Sequence, residues 1–374
     1  MTKGLKFITW PAIAGLLAAL LILERWVLPA SQNVGGPIQE PISYARAVRA
    51  ATPAVVNIYT AKLVTSRRSP LLDDLYFRKF TQPHSQRQRI ERSLGSGVIM
   101  TDKGHILTNN HVIADADAIQ VLLHDGRSAN AVVIGTDPAT DLAVLQVKLN
   151  GLQPIEQGDS NSARVGDVVL AIGNPLGFGH SVTQGIVSAL GRYGLQPNTY
   201  EDYIQTDASI HLGNSGGALI DTRGRLLGIN TLIYTANTQA RKTATGIGIS
   251  LAIPVNLATF VMQDLIDYGE VIRGWLGVSV EPIGAAANTG TTTQALAVVA
   301  VGEGSPAQKA GLQLGDIITH IDGDAVQDGR LTMHSIALLR PGDTVAISVQ
   351  RNRQSFELRA VVGVLRQSAG DTNR

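Results

Sequence analysis

The chain of 374 residues contains no cysteine. Disulfides, a thiolate nucleophile and cysteine-ligated zinc are therefore excluded, while the redox compartment stays open, since the absence suits cytoplasm and periplasm alike. Charge of one sign is also missing: 31 Lys and Arg stand against 30 Asp and Glu, for a net charge of +1. No global field exists to hold a polyanion, so nucleic acid is not an expected partner. The glycine-rich run GNPLGFG at 173–179 lacks the Gly-Lys-Ser/Thr ending of a phosphate loop, and nucleotide binding is not supported. The eight histidines show neither HExxH nor paired ligand spacing, and Asp115 and Asp117 lack an EF-hand context. No metal and no other cofactor is expected.

What is present is enough apolar content for real cores, 44%, and 39 glycines, which favour tight turns and β-rich architecture. The length suits two domains with additions. Phe7–Leu23 is an apolar run broken only by Thr9, preceded by Lys3 and Lys6 and followed by Glu24 and Arg25. Its length suits a spanning helix better than a cleavable signal, and Leu28-Pro29-Ala30 is a poor exit site, so an uncleaved anchor is expected over a removed signal. The positive N-terminal flank predicts a cytoplasmic tip, with everything after Leu28 across the membrane. Residues 31–44 read as a linker.

From Val55 onward, short apolar runs recur between turn signals: 54–60, 97–101, 119–123, 131–134, 142–147, 168–172 and 185–190. This spacing predicts a β-barrel or sandwich. The basic, polar stretch Ser66–Arg92 interrupts the series and is expected to be a mobile, solvated excursion. Val255–Leu265 has helical spacing and closes the first domain. A second, α/β module of about ninety residues follows, with strands at 275–280, 295–301, 317–321 and 344–349 and a helix at 331–339.

The sharpest chemical signal is Gly213-Asn214-Ser215-Gly216-Gly217, a serine in a turn of small residues before the strand-like Ala218–Ile220. Glycines let backbone N–H groups converge where an oxyanion could be held. Alone, such a turn is only a turn. A histidine in Thr108-Asn109-Asn110-His111-Val112 and an aspartate in Thr140-Asp141-Leu142-Ala143-Val144 change its meaning. A serine hydroxyl needs a base to take its proton, and the base needs a carboxylate to fix its tautomer. The chain order His, Asp, Ser is that of the double β-barrel proteases, not of the α/β-hydrolases.

With the anchor, TNNHV, TDLAVL, GNSGGAL, Ala171–Pro175 and Gln205–Ala208, the chain closely resembles the HtrA family of serine proteases, of the membrane-anchored type. The resemblance implies a mainly β fold: a chymotrypsin-like double β-barrel protease domain of two six-stranded barrels, then an α/β PDZ domain, behind an N-terminal transmembrane helix. The domains would be tip and anchor at 1–30, linker at 31–44, trypsin-like serine protease at 45–270, PDZ at 271–365 and a disordered tail at 366–374. His111 would be the base, Asp141 its orienter and Ser215 the nucleophile, with the Gly213 and Ser215 N–H groups as oxyanion hole. Two departures stand out. His211-Leu212 replaces the usual Asn-Pro or Asn-His before the Gly-Asn-Ser, and Ser250 and Leu251 replace Gly and Phe in the specificity strand. Leu251 and Ile253 are expected to shape an apolar primary pocket for small or medium apolar side chains.

In the PDZ-like module, Trp275-Leu276-Gly277-Val278 resembles the carboxylate-binding loop, and Met333, Ile336 and Ala337 are candidates for peptide specificity or simply core residues. Arg192 matches, by spacing, a residue that relays peptide binding to the oxyanion hole in the anchored type; an ordinary exposed arginine is the alternative. By resemblance, the partners would be a protein substrate such as a single-pass membrane anti-sigma factor, C-terminal peptides of misfolded outer-membrane proteins and the inner membrane. The assembly would be a homotrimer with its catalytic part in the periplasm. A broad quality-control protease or chaperone, and a catalytically silent PDZ scaffold, are the rival readings.

Overall fold

The computed structural model describes residues 14–19, 43–65, 88–174, 179–193, 200–211, 213–233, 250–283, 295–326 and 329–365. Residues 1–44 form one unit and 45–374 another. In the first unit, 14–19 is helical, and the rest of the anchor expected at Phe7–Leu23 lies outside the described residues. Among the described residues no helix is long and apolar enough to cross a membrane. The linker (apart from 43–44) and the tail at 366–374 also lie outside them.

In the second unit, helix α1 (Ala45–Ala51) leads to strand β1 (Val55–Thr65), whose first residues Val55, Val56 and Ile58 are wholly buried. β1 pairs along its whole length with β2 (Gln88–Ile99), from Val55↔Val98 to Thr65↔Gln88. The last five residues of the stretch expected to be an excursion, 88–92, are therefore strand. Their charged side chains hid them, because only one ladder partner was visible in the composition; 66–87 lie outside the described residues. β3 (His105–Asn109), β4 (Ala118–Leu122), β5 (Ser128–Asn130), β6 (Val132–Asp137) and β7 (Leu142–Gln146) complete a sheet ordered β5-β4-β1-β2-β3-β7-β6. It has seven strands where six were expected, the addition of the three-residue β5 being too short to show in apolar periodicity.

The next six strands close a barrel in the order β10-β13-β12-β11-β8-β9. They are β8 (Val168–Gly173), β9 (Ser181–Arg192), β10 (Tyr203–Thr206), β11 (Ala218–Asp221), β12 (Leu226–Ile233) and β13 (Ser250–Pro254). Alternate residues fill the interior, with Val169, Ala171, Val187, Ile204, Leu219 and Ala252 in one apolar cluster. Helix α3 (Val255–Tyr268) buries Leu257, Ala258, Val261 and Leu265 and ends at Gly269, whose φ of 77° permits the left-handed cap in which its N–H returns to Leu265 O.

The C-terminal module has a sheet in the order β15-β16-β17-β19-β20, with β18 paired to β17. Its members are β15 (Val278–Ile283), β16 (Ala295–Val301), β17 (Ile317–Ile321), β18 (Asp324–Ala325), β19 (Thr344–Arg351) and β20 (Gln354–Val361). β14 (Gly274–Trp275) pairs separately with β21 (Gly363–Val364). Helices α4 (Pro306–Lys309) and α5 (Gly329–Ala337) complete it, over a core that includes Leu296, Val298, Ile318, Ile336 and Ile347.

This module docks on the preceding one through charge. Arg273 ion-pairs with Asp137 at the end of β6, both nearly buried, and its guanidinium stacks 4.4 Å from the Tyr200 ring centre. Arg340 reaches the wholly buried Asp264 of α3 at 2.6 Å and lies over the Phe260 ring. His334 of α5 lies 4.0 Å from Asp202, too far for a hydrogen bond. Burial pushes the His334 imidazole below its ordinary range and the Asp202 carboxyl above it, so the contact is not a charged pair.

For His334 the unfolded or undocked imidazole takes the proton first on acidification. Its contribution to docking is therefore full above about pH 6.5 and falls as pH drops below that value. The raised Asp202 carboxyl acts in the opposite sense, opposing docking as pH rises through its own titration, so the comparison is made between the wild type and a His334 variant that both keep Asp202. Thermal melts at pH 7.5 and 5.5 are expected to show a larger loss on acidification for the wild type than for His334→Gln. Equal losses would remove His334 as the titrating group.

Candidate active site

Strands β3 and β7 run antiparallel with Asn109 opposite Leu142, which brings the ends of TNNHV and TDLAVL together. His111 sits in the single turn α2 (Asn110–Ile113) directly after β3, and Asp141 directly before β7. Asp141 has φ of 57°, a left-handed backbone that aspartate tolerates better than most residues. The turn is held there because the Asp141 carbonyl accepts from Asn110 N at 3.0 Å and from Asn109 Nδ2 at 3.1 Å. The carboxylate accepts three more bonds: His111 N on Oδ1 at 3.0 Å, and His111 Nδ1 at 2.7 Å and Thr231 Oγ1 at 3.0 Å on Oδ2. An acceptor-only carboxylate at Nδ1 puts the proton there and leaves Nε2 as the basic nitrogen. Burial pushes the nearby Tyr203 phenol far up, and the Glu201 and Asp141 carboxylates push it further, so it stays neutral.

Ser215 lies in the turn before β11, in the barrel. The seven-stranded sheet grips this turn through Ser96 of β2: its N–H donates to Ser215 O at 2.9 Å, and its hydroxyl donates to Gly213 O at 2.7 Å. Gly216 makes this approach possible, since a Cβ there would lie 2.1 Å from Ser96 O, on a backbone with φ of 82°. The three motif residues thus meet where sheet and barrel join. The Ser215 hydroxyl donates to Thr231 O at 3.1 Å, and among the described residues no hydrogen bond joins it to His111. Gly213 has φ of 95°, and among the described residues neither its N–H nor that of Ser215 has an acceptor. Asn214 is wholly buried against Gly173, and among the described residues neither of its side-chain amide atoms has a hydrogen-bond partner. Leu212 lies outside the described residues.

Thr231 was not anticipated. It binds Asp141 through its hydroxyl and Ser215 through its carbonyl, and its signal in the sequence was only an Asn-Thr pair following the apolar run Leu226–Ile229. Leu251 and Ile253 are buried on β13, on the strand face opposite the barrel-core Ala252. Arg192 ends β9, exposed, with Nε bonded to Gln205 Oε1 on β10 at 2.8 Å.

In the C-terminal module, Trp275–Val278 forms the bend from β14 into β15, with Gly277 at φ of 73°. The carbonyls of Leu276 and Gly277 are taken by Ala307 N and Gly302 N, whereas neither of their own N–H groups donates to a described residue. β15 is an edge strand and α5 lies beside it, so the bend stands at the head of a strand-plus-helix groove. Of the candidate specificity residues, Met333 is half-buried against the module's core and Ile336 lies within it. Ala337, with His334 and Leu338, lines a small cavity at the seam facing Tyr200 and Phe260.

A two-lobed β domain with this His-Asp-Ser cluster at its junction defines a serine endopeptidase of the trypsin-like class. The family of trypsin-like peptidase domains matches residues 95–229 and that of PDZ domains matches 274–362. The chain is 41% identical to the serine endoprotease DegS of Escherichia coli (strain K12), over 96% of this chain and 97% of that protein. It is 39% identical to a probable periplasmic serine endoprotease, DegP-like, of Pseudomonas putida (strain ATCC 700007 / DSM 6899 / JCM 31910 / BCRC 17059 / LMG 24140 / F1), over 93% of this chain and 76% of that protein. The solved HtrA-type protease AlgW with a decapeptide superposes with a TM-score of 0.67 at 48% identity, covering 87% of this chain and 99% of that one. The chain belongs to the HtrA-type serine endoproteases, with a trypsin-like peptidase domain and one PDZ domain.

Proposed function

We propose that this endopeptidase is switched by peptides on its PDZ domain, and that His111, Asp141 and Ser215 are its triad. Ser215 Oγ attacks the scissile carbonyl as its proton passes to His111 Nε2, and the Gly213 and Ser215 N–H groups hold the resulting oxyanion. The imidazolium then gives that proton to the leaving amine, and water releases the acyl group by the same route. Leu251 and Ile253 border the primary pocket, which takes small or medium apolar side chains. A peptide ending in a carboxylate adds as a strand to β15, its carboxylate on the Leu276–Val278 N–H groups. Arg192 carries that occupancy to the oxyanion loop.

The observation that carries the regulatory reading is the Ser215 hydroxyl bonded to Thr231 O instead of His111. Together with the buried, unpartnered Asn214 amide, it supports a resting loop that occupancy of the PDZ groove rearranges. We further propose an inner-membrane anchor at Phe7–Leu23, a periplasmic catalytic part and a homotrimer. The substrate would be a single-pass membrane anti-sigma factor, cut when C-termini of misfolded outer-membrane proteins fill the groove. The relatives named DegS and AlgW, the latter solved with peptides, support this branch over the DegP-like one, whose members are longer.

The test is fluorophosphonate labelling of Ser215 in the full chain, with and without peptides ending in apolar residues, and with Ser215→Ala as control. Labelling that rises with peptide is expected. Equal labelling without peptide would make the protein a constitutive quality-control protease, and no labelling in either state, in folded protein, would leave a peptide-binding scaffold.

A further inference from the structure

Outside the catalytic cluster, one pair of imidazoles spans the same junction. His124 follows β4 in the seven-stranded sheet, and His180 precedes β9 of the barrel, 56 residues later. Their Nδ1 atoms are 3.4 Å apart, with ring centres at 5.1 Å and planes inclined at 52°. That separation is long for a hydrogen bond between two ring nitrogens, beyond the about 2.7–3.2 Å of N–H···O bonds. It matches instead the bite of a tetrahedral cation: two nitrogens at about 2.0–2.1 Å from a common centre lie about 3.3–3.4 Å apart.

The tautomer is fixed on one side. His180 Nε2 lies 2.8 Å from Val55 O, and a carbonyl only accepts, so Nε2 carries the proton and the Nδ1 lone pair faces His124. A ring N–H spent on a backbone carbonyl is the supporting contact that metal-binding histidines use to hold their orientation. His124 is exposed and His180 half-buried, which leaves the gap open to solvent. The adjacent Asp125 is held by Arg127 and is not aimed at the gap by any contact.

We propose that His124 and His180 form a two-histidine site for a borderline divalent cation, Zn²⁺ or Ni²⁺ in preference to Mg²⁺, that clips the sheet to the barrel. Among the described residues no group of three or more histidines and carboxylates could hold a metal, so water completes the coordination and the affinity is that of a two-ligand site. The juxtaposition escapes sequence spacing because it is made by the packing of two lobes.

The probe is Zn²⁺ alone, titrated into the full chain by calorimetry, with melting followed in an about tenfold molar excess of metal. One equivalent is expected to bind and to raise the melting temperature by a few degrees, with Mg²⁺ doing neither. His124→Ala leaves the His180–Val55 bond in place and is expected to lose both effects while melting normally without metal. Absence of binding, binding unchanged in His124→Ala, or binding lost instead in His111→Ala would each overturn the site.

Discussion

Asp141→Asn is expected to lower kcat/KM on a peptide substrate by roughly 10⁴-fold while leaving the fold intact. The fold survives because asparagine is among the few residues that adopt a left-handed backbone readily, and Asp141 has φ of 57°. Its carbonyl, which holds the turn through Asn110 N and Asn109 Nδ2, is unaltered. The chemistry does not survive. The carboxylate now accepts from His111 N, His111 Nδ1 and Thr231 Oγ1, three donors that an amide with one oxygen and an NH₂ group cannot all satisfy. An NH₂ turned toward Nδ1 selects the tautomer protonated at Nε2, which cannot take the proton of Ser215. Steady-state kinetics with melting curves in parallel check this. A loss of less than about tenfold with an unchanged melting temperature would show that Asp141 does not set the His111 tautomer.

The same residues show what the sequence could convey. Three short motifs with the order His, Asp, Ser were legible because each sits at a strand end or in a glycine turn, where local residue type dictates backbone shape. Thr231 and Ser96 were not, since nothing local marks a threonine in the middle of β12 or a serine in β2 as the residue that bonds Asp141 or clamps Ser215. Strands with clean apolar runs, such as 142–147 and 295–301, were placed almost to the residue. β2 was half missed because Gln88–Arg92 is mostly polar and charged in sequence although it is paired with β1, and β5 and β10 because three or four residues carry too little periodicity. The docking of the PDZ domain was wholly illegible: Arg273 and Asp137 are 136 residues apart, and only the packed structure makes partners of them.

That pair carries the largest expected effect on stability. Arg273→Ala removes the guanidinium from a carboxylate that is only 5% exposed and leaves Asp137 with Thr140 Oγ1 as its remaining side-chain donor. Breaking a buried pair on one side costs about 3–5 kcal/mol, because the surviving charge stays out of water without its counter-charge. At about 2–4 °C per kcal/mol, melting of the unit that contains both domains is expected to fall by about 6–20 °C. The stacking of Arg273 on Tyr200 is lost too, so Arg273→Met, which restores apolar contact but not charge, separates the two contributions. The double variant Asp137→Leu with Arg273→Met is expected to melt above either single one, since no unpaired charge is then buried. Asp137 opens the segment that runs through Thr140 to Asp141, so a loosened PDZ domain is expected to register at the carboxylate that holds His111. If the single variants melt like the wild type, the pair is exposed in solution and the PDZ domain is not docked through it.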